Sequence, residues 1–385
     1  IYTSGTTGQA KGVMHSFDSL TSGWLTVRRQ LGISPADRTF SYLPLAHIME
    51  RSALELGSLD GGCHLYFAES LDSFMEDLQR AHPTLFISVP RLLLKFQQGV
   101  LAKMPAPKLD RLLAIPFLGH FVRRKIQKGL GLDAARLCGC GSAPLSEDLL
   151  RWYHRLGIRF VEGYGMTELA SASHMTEVGE DGWGTVGRPG DGVDHRIDPQ
   201  TGEVQVLSAG AALGYYLAPE LTAELFTEDG WLRTGDKGEI DADGRLRLIG
   251  RIKDNFKSSK GKYVAPAPIE HKLIQNPSLD ACLVIGSGLS QPVGIVVLNE
   301  AAIARLPAAR AAIEADLARH LQAINATLDP HEKLDYLVIS TKAWTPENGM
   351  LTPTLKAKRA SIEKHFAARI ETWGNRHASV VWEEE

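Results

Sequence analysis

The spacing of hydrophobic positions changes twice along the chain. Over residues 1–250 short apolar runs alternate with helical patterns, and residues 84–89 (TLFISV), 159–162 (RFVE) and 203–207 (EVQVL) read as strands. Such alternation marks an α/β domain with a largely parallel sheet, whose strands end in the loops that carry chemistry. Within it, residues 183–250 turn to short strands separated by Gly, Asp and Pro, which predicts a small β-rich subdomain. After Lys253 a helix-like PIEHKLIQN segment leads to strands near residues 281–286 and 293–298. Ile313, Leu317, Leu321, Ile324 and Leu328 then fall on one face of an amphipathic helix, followed by a strand near residues 336–340 and a basic terminal helix. The expected fold is α/β: a large N-terminal α/β domain over residues 1–252, and a small α+β C-terminal domain over residues 253–385, with the boundary at residues 251–254.

Composition narrows this picture without redirecting it. The net charge of −3 provides no global basic field for nucleic acid, and no acidic tract suggests disorder. Cys63, Cys138, Cys140 and Cys282 form no CxxC pair and read as reduced residues of a cytoplasmic protein. No signal peptide is visible. The chain opens on Ile1 inside an apparent strand, with no Met, so a preceding segment is expected and the large domain is expected to be incomplete. The longest apolar stretch, residues 112–122, is too short to span a bilayer and is followed by Arg123, Arg124, Lys125 and Lys128. A core element with a solvated basic end is the preferred reading; peripheral contact with the inner face of a membrane is the alternative.

Residues 1–13, IYTSGTTGQAKGV, combine a β-like start, a Gly/Ser/Thr loop and a lysine. Glycines let successive backbone N–H groups curl around phosphate oxygens, the hydroxyls of Thr3, Ser4, Thr6 and Thr7 add donors, and Lys11 adds charge. Gly5 and Lys11 have the Walker A spacing, but Ala10 stands where its second Gly belongs and Gly12 replaces its Ser/Thr, which disfavours a P-loop ATPase. A polar turn without a ligand is the competing reading. The run TSGTTGxxKG, with Gly5 and Gly8, resembles the signature loop of the adenylate-forming superfamily, which holds acyl-CoA synthetases, luciferases and peptide-synthetase adenylation domains.

Five further segments resemble that superfamily, in its order. YLPLAHIMER (residues 42–51) looks like the segment lining the acyl site; His47 at its tip stands equally as a substrate contact or a core histidine. GSAPL (residues 141–145), with Gly141, Ser142, Ala143 and Pro144, resembles the turn that passes close to the acyl-adenylate, and Cys138 and Cys140 beside it read as buried filler. In GYGMTE (residues 163–168), between Gly163 and Gly165, the resemblance makes Tyr164 stack on adenine, Thr167 contact phosphates and Glu168 bind Mg²⁺. WLRTGD carries Asp236 for the ribose hydroxyls, and GRIKDNFK supplies Arg251 for the nucleotide and Lys253 as the interdomain hinge. NGMLTPTLKAKR holds the implied catalytic lysine, Lys356, with Lys358 as runner-up.

The resemblance implies a reaction in two halves, with ATP, Mg²⁺ and coenzyme A. A fatty carboxylate is first adenylated; coenzyme A then takes the acyl group, after the small domain rotates and residues 258–263 replace Lys356 at the site. The wording of YLPLAHIMER, VPRLLLKF, GKYVAP and NGMLTPTLK is closest to long-chain fatty acyl-CoA synthetases. Alternatives are an adenylate former that delivers to a carrier protein, and an inactive nucleotide-binding fragment.

Overall fold

A computed structural model describes residues 1–4, 10–143, 145–179, 182–352 and 356–384, without the side chain of Ser4. The chain divides into two compact units, one of residues 1–234 and 238–248, the other of residues 235–237 and 249–385.

The first unit is organised by three neighbouring parallel strands, Leu85–Ser88, Leu137–Cys140 and Phe160–Met166. Their side chains alternate between two cores. Phe86, Cys138 and Phe160 face a cluster built with the helices Phe74–Ala81, Pro90–Lys103 and Glu147–Arg155, while Ile87, Leu137 and Val161 face the helix Phe17–Leu31. A sheet covered on both faces explains why these strands read as continuous apolar runs. The antiparallel strands Ser171–Met175 and Arg188–Pro189 extend the same sheet. The β-rich text folds into a four-stranded sheet, Val193–Ile197, Glu203–Ser208, Leu232–Ile240 and Leu246–Arg251, with Val204, Val206, Leu232 and Leu246 buried beneath it.

The second unit is built on a four-stranded sheet between two helical layers. Leu279–Ile285 pairs antiparallel with Val293–Leu298, and Leu337–Ser340 and Val380–Trp382 follow in parallel. The helix Glu300–Asn325 buries Ile313, Leu317, Leu321 and Ile324 as its spacing predicts, but it starts well before Ile313 and stops short of Leu328. The three-residue strand Val380–Trp382 carries too little pattern to be read in advance.

Within residues 112–122, Leu113 and Val122 pack against the first unit's core, as the core-element reading expects. Two helices, Ala106–Ala114 and Leu118–Gly129, meet at a turn where Ile115, Phe117, Leu118 and Phe121 face solvent. Apolar character alone does not say whether a partner element exists to cover it. Among the described residues no helix is long and apolar enough to cross a membrane.

An ion pair between a buried Asp37 and a partly exposed Arg136 ties the parallel strands to the helix Phe17–Leu31. Arg136 donates to both Asp37 oxygens at 2.8 and 2.9 Å, and to the carbonyls of Leu31 and Gly32 at the helix C-terminus. Thr84 donates to the same carboxylate. Despite the cost of burial, the hydrogen bonds from Arg136 and Thr84 hold the Asp37 carboxyl well below the usual range. Asp37→Ala is expected to destabilise the protein by about 2–3 kcal/mol in urea melts at neutral pH, below the full value of a buried pair because Arg136 is partly exposed. Stability that comes from a depressed carboxyl is present above its unfolded pKa and lost as pH falls. The difference between parent and variant should therefore shrink below about pH 4.

Candidate functional site

The three parallel strands release the chain at one edge of their sheet, the position where ligands sit in α/β folds. A small apolar cavity, open on one side to solvent, lies against the C-terminal halves of these strands. Val27, Leu31, Ile87, Val161 and Met175 form its apolar wall, and Gly139, Gly141, Gly163 and Gly165 keep it open. His47 and Ser142 bring polar groups to it. Gly165 tolerates no side chain: a Cβ there would stand 1.8 Å from the Ser171 carbonyl oxygen, across a bulge in the strand pair. Ser142 adopts φ +71°, a conformation costly for a residue with a Cβ, in the turn after Cys140. Ala143 is exposed in the same turn, and Pro144 lies outside the described residues. His47 caps the start of its helical segment, where Met49 N–H donates to His47 Nδ1 at 3.2 Å.

Beside the cavity a second group assembles. The strands Tyr2–Ser4 and Ala10–Met14 pair so that Thr3 stands opposite Lys11. Gly5, Thr6, Thr7 and Gly8 lie outside the described residues, as does the Ser4 side chain. The strand Ala10–Met14 also pairs with Gly214–Tyr215, which sets the Lys11 ammonium 5.0 Å from the Tyr215 ring centroid. The Tyr215 hydroxyl in turn donates to Glu168 Oε1 at 2.7 Å. A chain of contacts thus runs from the loop lysine through Tyr215 to Glu168. Tyr215 has no motif of its own in the sequence; its place comes from strand pairing between distant segments. His15 also went unread: its Nε2 lies 2.7 Å from the Thr167 carbonyl oxygen and its Nδ1 3.0 Å from Ser19 Oγ, pinning the turn that bears Glu168. Burial lowers the His15 pKa, opposed by its bond to Thr167.

No cluster of three or more His, Cys, Asp or Glu ligands occurs among the described residues. A magnesium site of the substrate-assisted kind needs none, since Mg²⁺ is typically held by one or two carboxylates, waters and substrate phosphates. Glu168, buried and oriented by Tyr215 through one oxygen, fits such a donor set.

Tyr164 is buried, tilted against the His174 ring at 5.7 Å between centroids. His174 Nε2 lies 2.9 Å from His195 Nδ1, and burial, with His195 beside it, pushes the His174 pKa down to about 3. Cys138 and Cys140 are buried, and burial pushes both thiols up.

The second unit holds the remaining residues. Arg251 Nε lies 2.9 Å from Asp236 Oδ1, so two residues expected at the nucleotide meet in an ion pair. Lys253 is exposed in the short turn of helix Ile252–Asp254. Lys356 is exposed where the chain doubles back: Leu351 bridges Ala357, and Thr352 N–H donates to the Lys356 carbonyl at 2.8 Å. Lys358 stands at the start of the helix Arg359–Phe366, whose first residue anchors this segment. Arg359 donates to Glu270 Oε1 and to the Val284 carbonyl, each at 2.7 Å, and lies 3.8 Å from Asp254, the neighbour of Lys253.

Two buried carboxyls in the first unit went unremarked in the sequence. Glu50 opens a π-helical segment, Glu50–Leu56, next to the cavity-lining Met49. It is 0 % exposed, accepts from the Ser41 hydroxyl, and leaves Oε2 without a well-formed hydrogen bond. Glu162 accepts from the Leu145 amide at 2.8 Å. Burial raises each to about 7. An acid whose folded pKa is raised binds more protons in the native than in the unfolded state, so it makes stability fall as pH rises between the two values. Urea midpoints are expected to decline from about pH 4.5 to about pH 7, and Glu50→Gln should remove its share, about 3 kcal/mol at most. A decline of the same depth in the variant would remove Glu50 as a cause.

The pattern of the family described as "AMP-binding enzyme" matches residues 1–216, and that of its C-terminal domain matches residues 253–377. Over 96% of its length the chain is 29% identical to long-chain-fatty-acid–CoA ligase 5 of Rattus norvegicus, of which it covers 61%. It is likewise 29% identical over 96% of its length to the peroxisomal long chain acyl-CoA synthetase 7 of Arabidopsis thaliana, covering 59% of that protein. The chain thus spans about three fifths of the length of these relatives. Among solved structures it is similar to the A domain of a carboxylic acid reductase from Segniliparus rugosus in complex with AMP and a co-purified carboxylic acid. The TM-score is 0.79 at 28% identity, with 98% of this chain and 61% of that one covered. Pattern, relatives and fold agree, and the chain belongs to the AMP-binding enzyme family.

Proposed function

We propose that this chain is the ATP-dependent part of a fatty acyl-CoA synthetase, an AMP-forming acid–thiol ligase. Residues 1–252 would be the adenylating domain and residues 253–385 a mobile domain that carries the catalytic lysine. The observation that carries the reading is the apolar cavity at the sheet edge, lined by His47, Gly141, Ser142, Gly163 and Gly165. An acyl chain has no hydrogen bonds to satisfy, and a wall of Val, Leu, Ile and Met suits it. The names of the relatives, ligases of long-chain fatty acids, support the same substrate class.

In the first half-reaction a carboxylate oxygen attacks the α-phosphorus of ATP, and the bond to the bridging oxygen breaks to release pyrophosphate. Charge crowds that centre, so the work is positioning and neutralisation. Lys11, with Thr3, Ser4, Gly5, Thr6, Thr7 and Gly8, would hold the departing phosphates, and Thr167 would contact them. Tyr164 would meet the adenine. Asp236 would accept from the ribose hydroxyls, with Arg251 keeping its carboxylate oriented. Mg²⁺, when bound at Glu168, would neutralise charge on the phosphate oxygens. Lys356 would stabilise the charge shared by carboxylate and α-phosphate, a task for a compact cation on a flexible arm. In the second half the thiol sulfur of coenzyme A attacks the acyl carbon, and the C–O bond to AMP breaks.

A second reading has one observation in its favour: the similar structures include an A domain of carboxylic acid reductase joined to its carrier-protein domain, bound to AMP. Delivery to a carrier would leave AMP release indifferent to coenzyme A.

Pyrophosphate release is expected to require ATP, Mg²⁺ and a fatty acid such as palmitate, and to accelerate with coenzyme A. Lys356→Ala should slow adenylation about 10²–10³-fold. Lys253→Pro should impair thioester formation more than adenylation; equal loss of both half-reactions would exclude a hinge at Lys253.

A further inference from the structure

The helical hairpin of residues 106–129 has no task in the reaction above, and its tip is the least explained surface of the first unit. Phe117 is 86% exposed and Phe121 71%, with Ile115, Pro116 and Leu118 exposed between and beside them. Large apolar side chains collected at one projecting point mark a contact site rather than ordinary surface scatter. The backbone adds a second observation. Phe117 has φ 61° and ψ −51°, and the Leu118 amide donates to the Pro116 carbonyl at 2.7 Å. This is the rare γ-turn of positive φ, strained for any bulky residue. This turn holds the Phe117 ring out in water.

The base of the hairpin is firmly mounted. Leu109 is buried in the core, Arg155 pairs with Asp110 at 2.7 Å, Arg123 donates to the Arg155 carbonyl, and Gln127 donates to the Leu156 carbonyl. The helices approach closely because Gly119 has no side chain: a Cβ would stand 2.5 Å from the Leu113 carbonyl oxygen. The tip is therefore presented on a fixed support.

Charge identifies what it is presented to. Residues 103–128 contain Lys103, Lys108, Arg111, Arg123, Arg124, Lys125 and Lys128 against the single acid Asp110, in a chain whose net charge is −3. On the helix Leu118–Gly129, Leu118, Phe121, Lys125 and Lys128 share one face at helical spacing, so cations follow the apolar tip by one and two turns. At 1.5 Å per residue that places ammonium groups roughly 6–10 Å behind the aromatic rings. An apolar wedge sunk 5–10 Å into an interface puts a collar at that distance level with lipid phosphates.

We propose that this hairpin docks the protein on an anionic lipid surface, with Phe117 and Phe121 inserted and Lys125 and Lys128 on the headgroups. Such docking goes beyond the ligase reading and uses none of its residues. It would bring the enzyme to the phase in which long-chain acids partition.

Sedimentation with phosphatidylcholine vesicles, with and without phosphatidylglycerol, tests it on the whole chain. The protein is expected to bind the anionic vesicles at least about tenfold more tightly than the neutral ones, and less tightly as salt rises. Phe117→Ser with Phe121→Ser, and separately Lys125→Ser with Lys128→Ser, should each weaken binding about tenfold or more. Leu59→Ser with Leu71→Ser, which alters exposed apolar residues elsewhere in the unit, should leave binding unchanged. All six positions are exposed, and unaltered circular dichroism melts would show that the fold is intact. Failure of the parent to bind, or equal losses in all three pairs, overturns the proposal. So does self-association that the Phe pair abolishes without lipid binding, which would make a second copy the occupant.

Discussion

The first unit depends on one constraint: its central sheet is buried on both faces. Strands placed so carry apolar side chains in both directions and leave the sheet through loops at its ends. Three consequences follow here. Phe86, Cys138 and Phe160 fill one core while Ile87, Leu137 and Val161 fill the other. The turns at Gly141 and Thr167 emerge at the same edge. The space between that edge and the helix Phe17–Leu31 becomes a cavity, because Gly139, Gly141, Gly163 and Gly165 put no side chains into it. The Asp37–Arg136 pair, through the bonds of Arg136 to the Leu31 and Gly32 carbonyls, ties the end of that helix to the strand Leu137–Cys140.

Polar groups around this cavity are few and strongly held. Glu168 is aimed by Tyr215, Thr167 is pinned by His15, and Tyr164 rests against a histidine that burial keeps neutral. Fixed groups in a poorly solvated place need no rearrangement when charge arrives, which is the main way a protein stabilises a crowded phosphoryl centre. Glu50 and Glu162 show the cost of the same environment: two carboxyls whose burial opposes their ionised forms. Near Lys356, the lysine proposed to be catalytic, the second unit uses charge differently. Arg359 ties the start of the following helix to Glu270 and to Asp254, beside the proposed hinge.

Much of the architecture was legible because it follows from short-range pattern. Apolar runs located two of the three parallel strands, Leu85–Ser88 and Phe160–Met166, but not Leu137–Cys140, and the spacing of Ile313, Leu317, Leu321 and Ile324 located the long helix. Motif residues at the loops followed from resemblance. What escaped depended on pairing between remote segments or on the absence of a partner. Tyr215 reaches Glu168 only because Gly214–Tyr215 pairs with Ala10–Met14. Val380–Trp382 is a strand only because Leu337–Ser340 lies beside it. Residues 112–122 look like core to any hydropathy argument, yet among the described residues Phe117 and Phe121 stand exposed. Glu50 sits in a segment read for its histidine, and nothing in its spacing shows that it faces inward.

The proposed chemistry turns on one step, the attack of a fatty-acid carboxylate oxygen on the α-phosphorus of ATP. Incubation of the protein with ATP, Mg²⁺, coenzyme A and palmitate labelled with ¹⁸O in both carboxyl oxygens tests this by mass spectrometry of the nucleotide. The expected products are AMP carrying one labelled oxygen and pyrophosphate carrying none. Label in inorganic phosphate with ADP as the product, or thioester formed with unlabelled AMP, would contradict it.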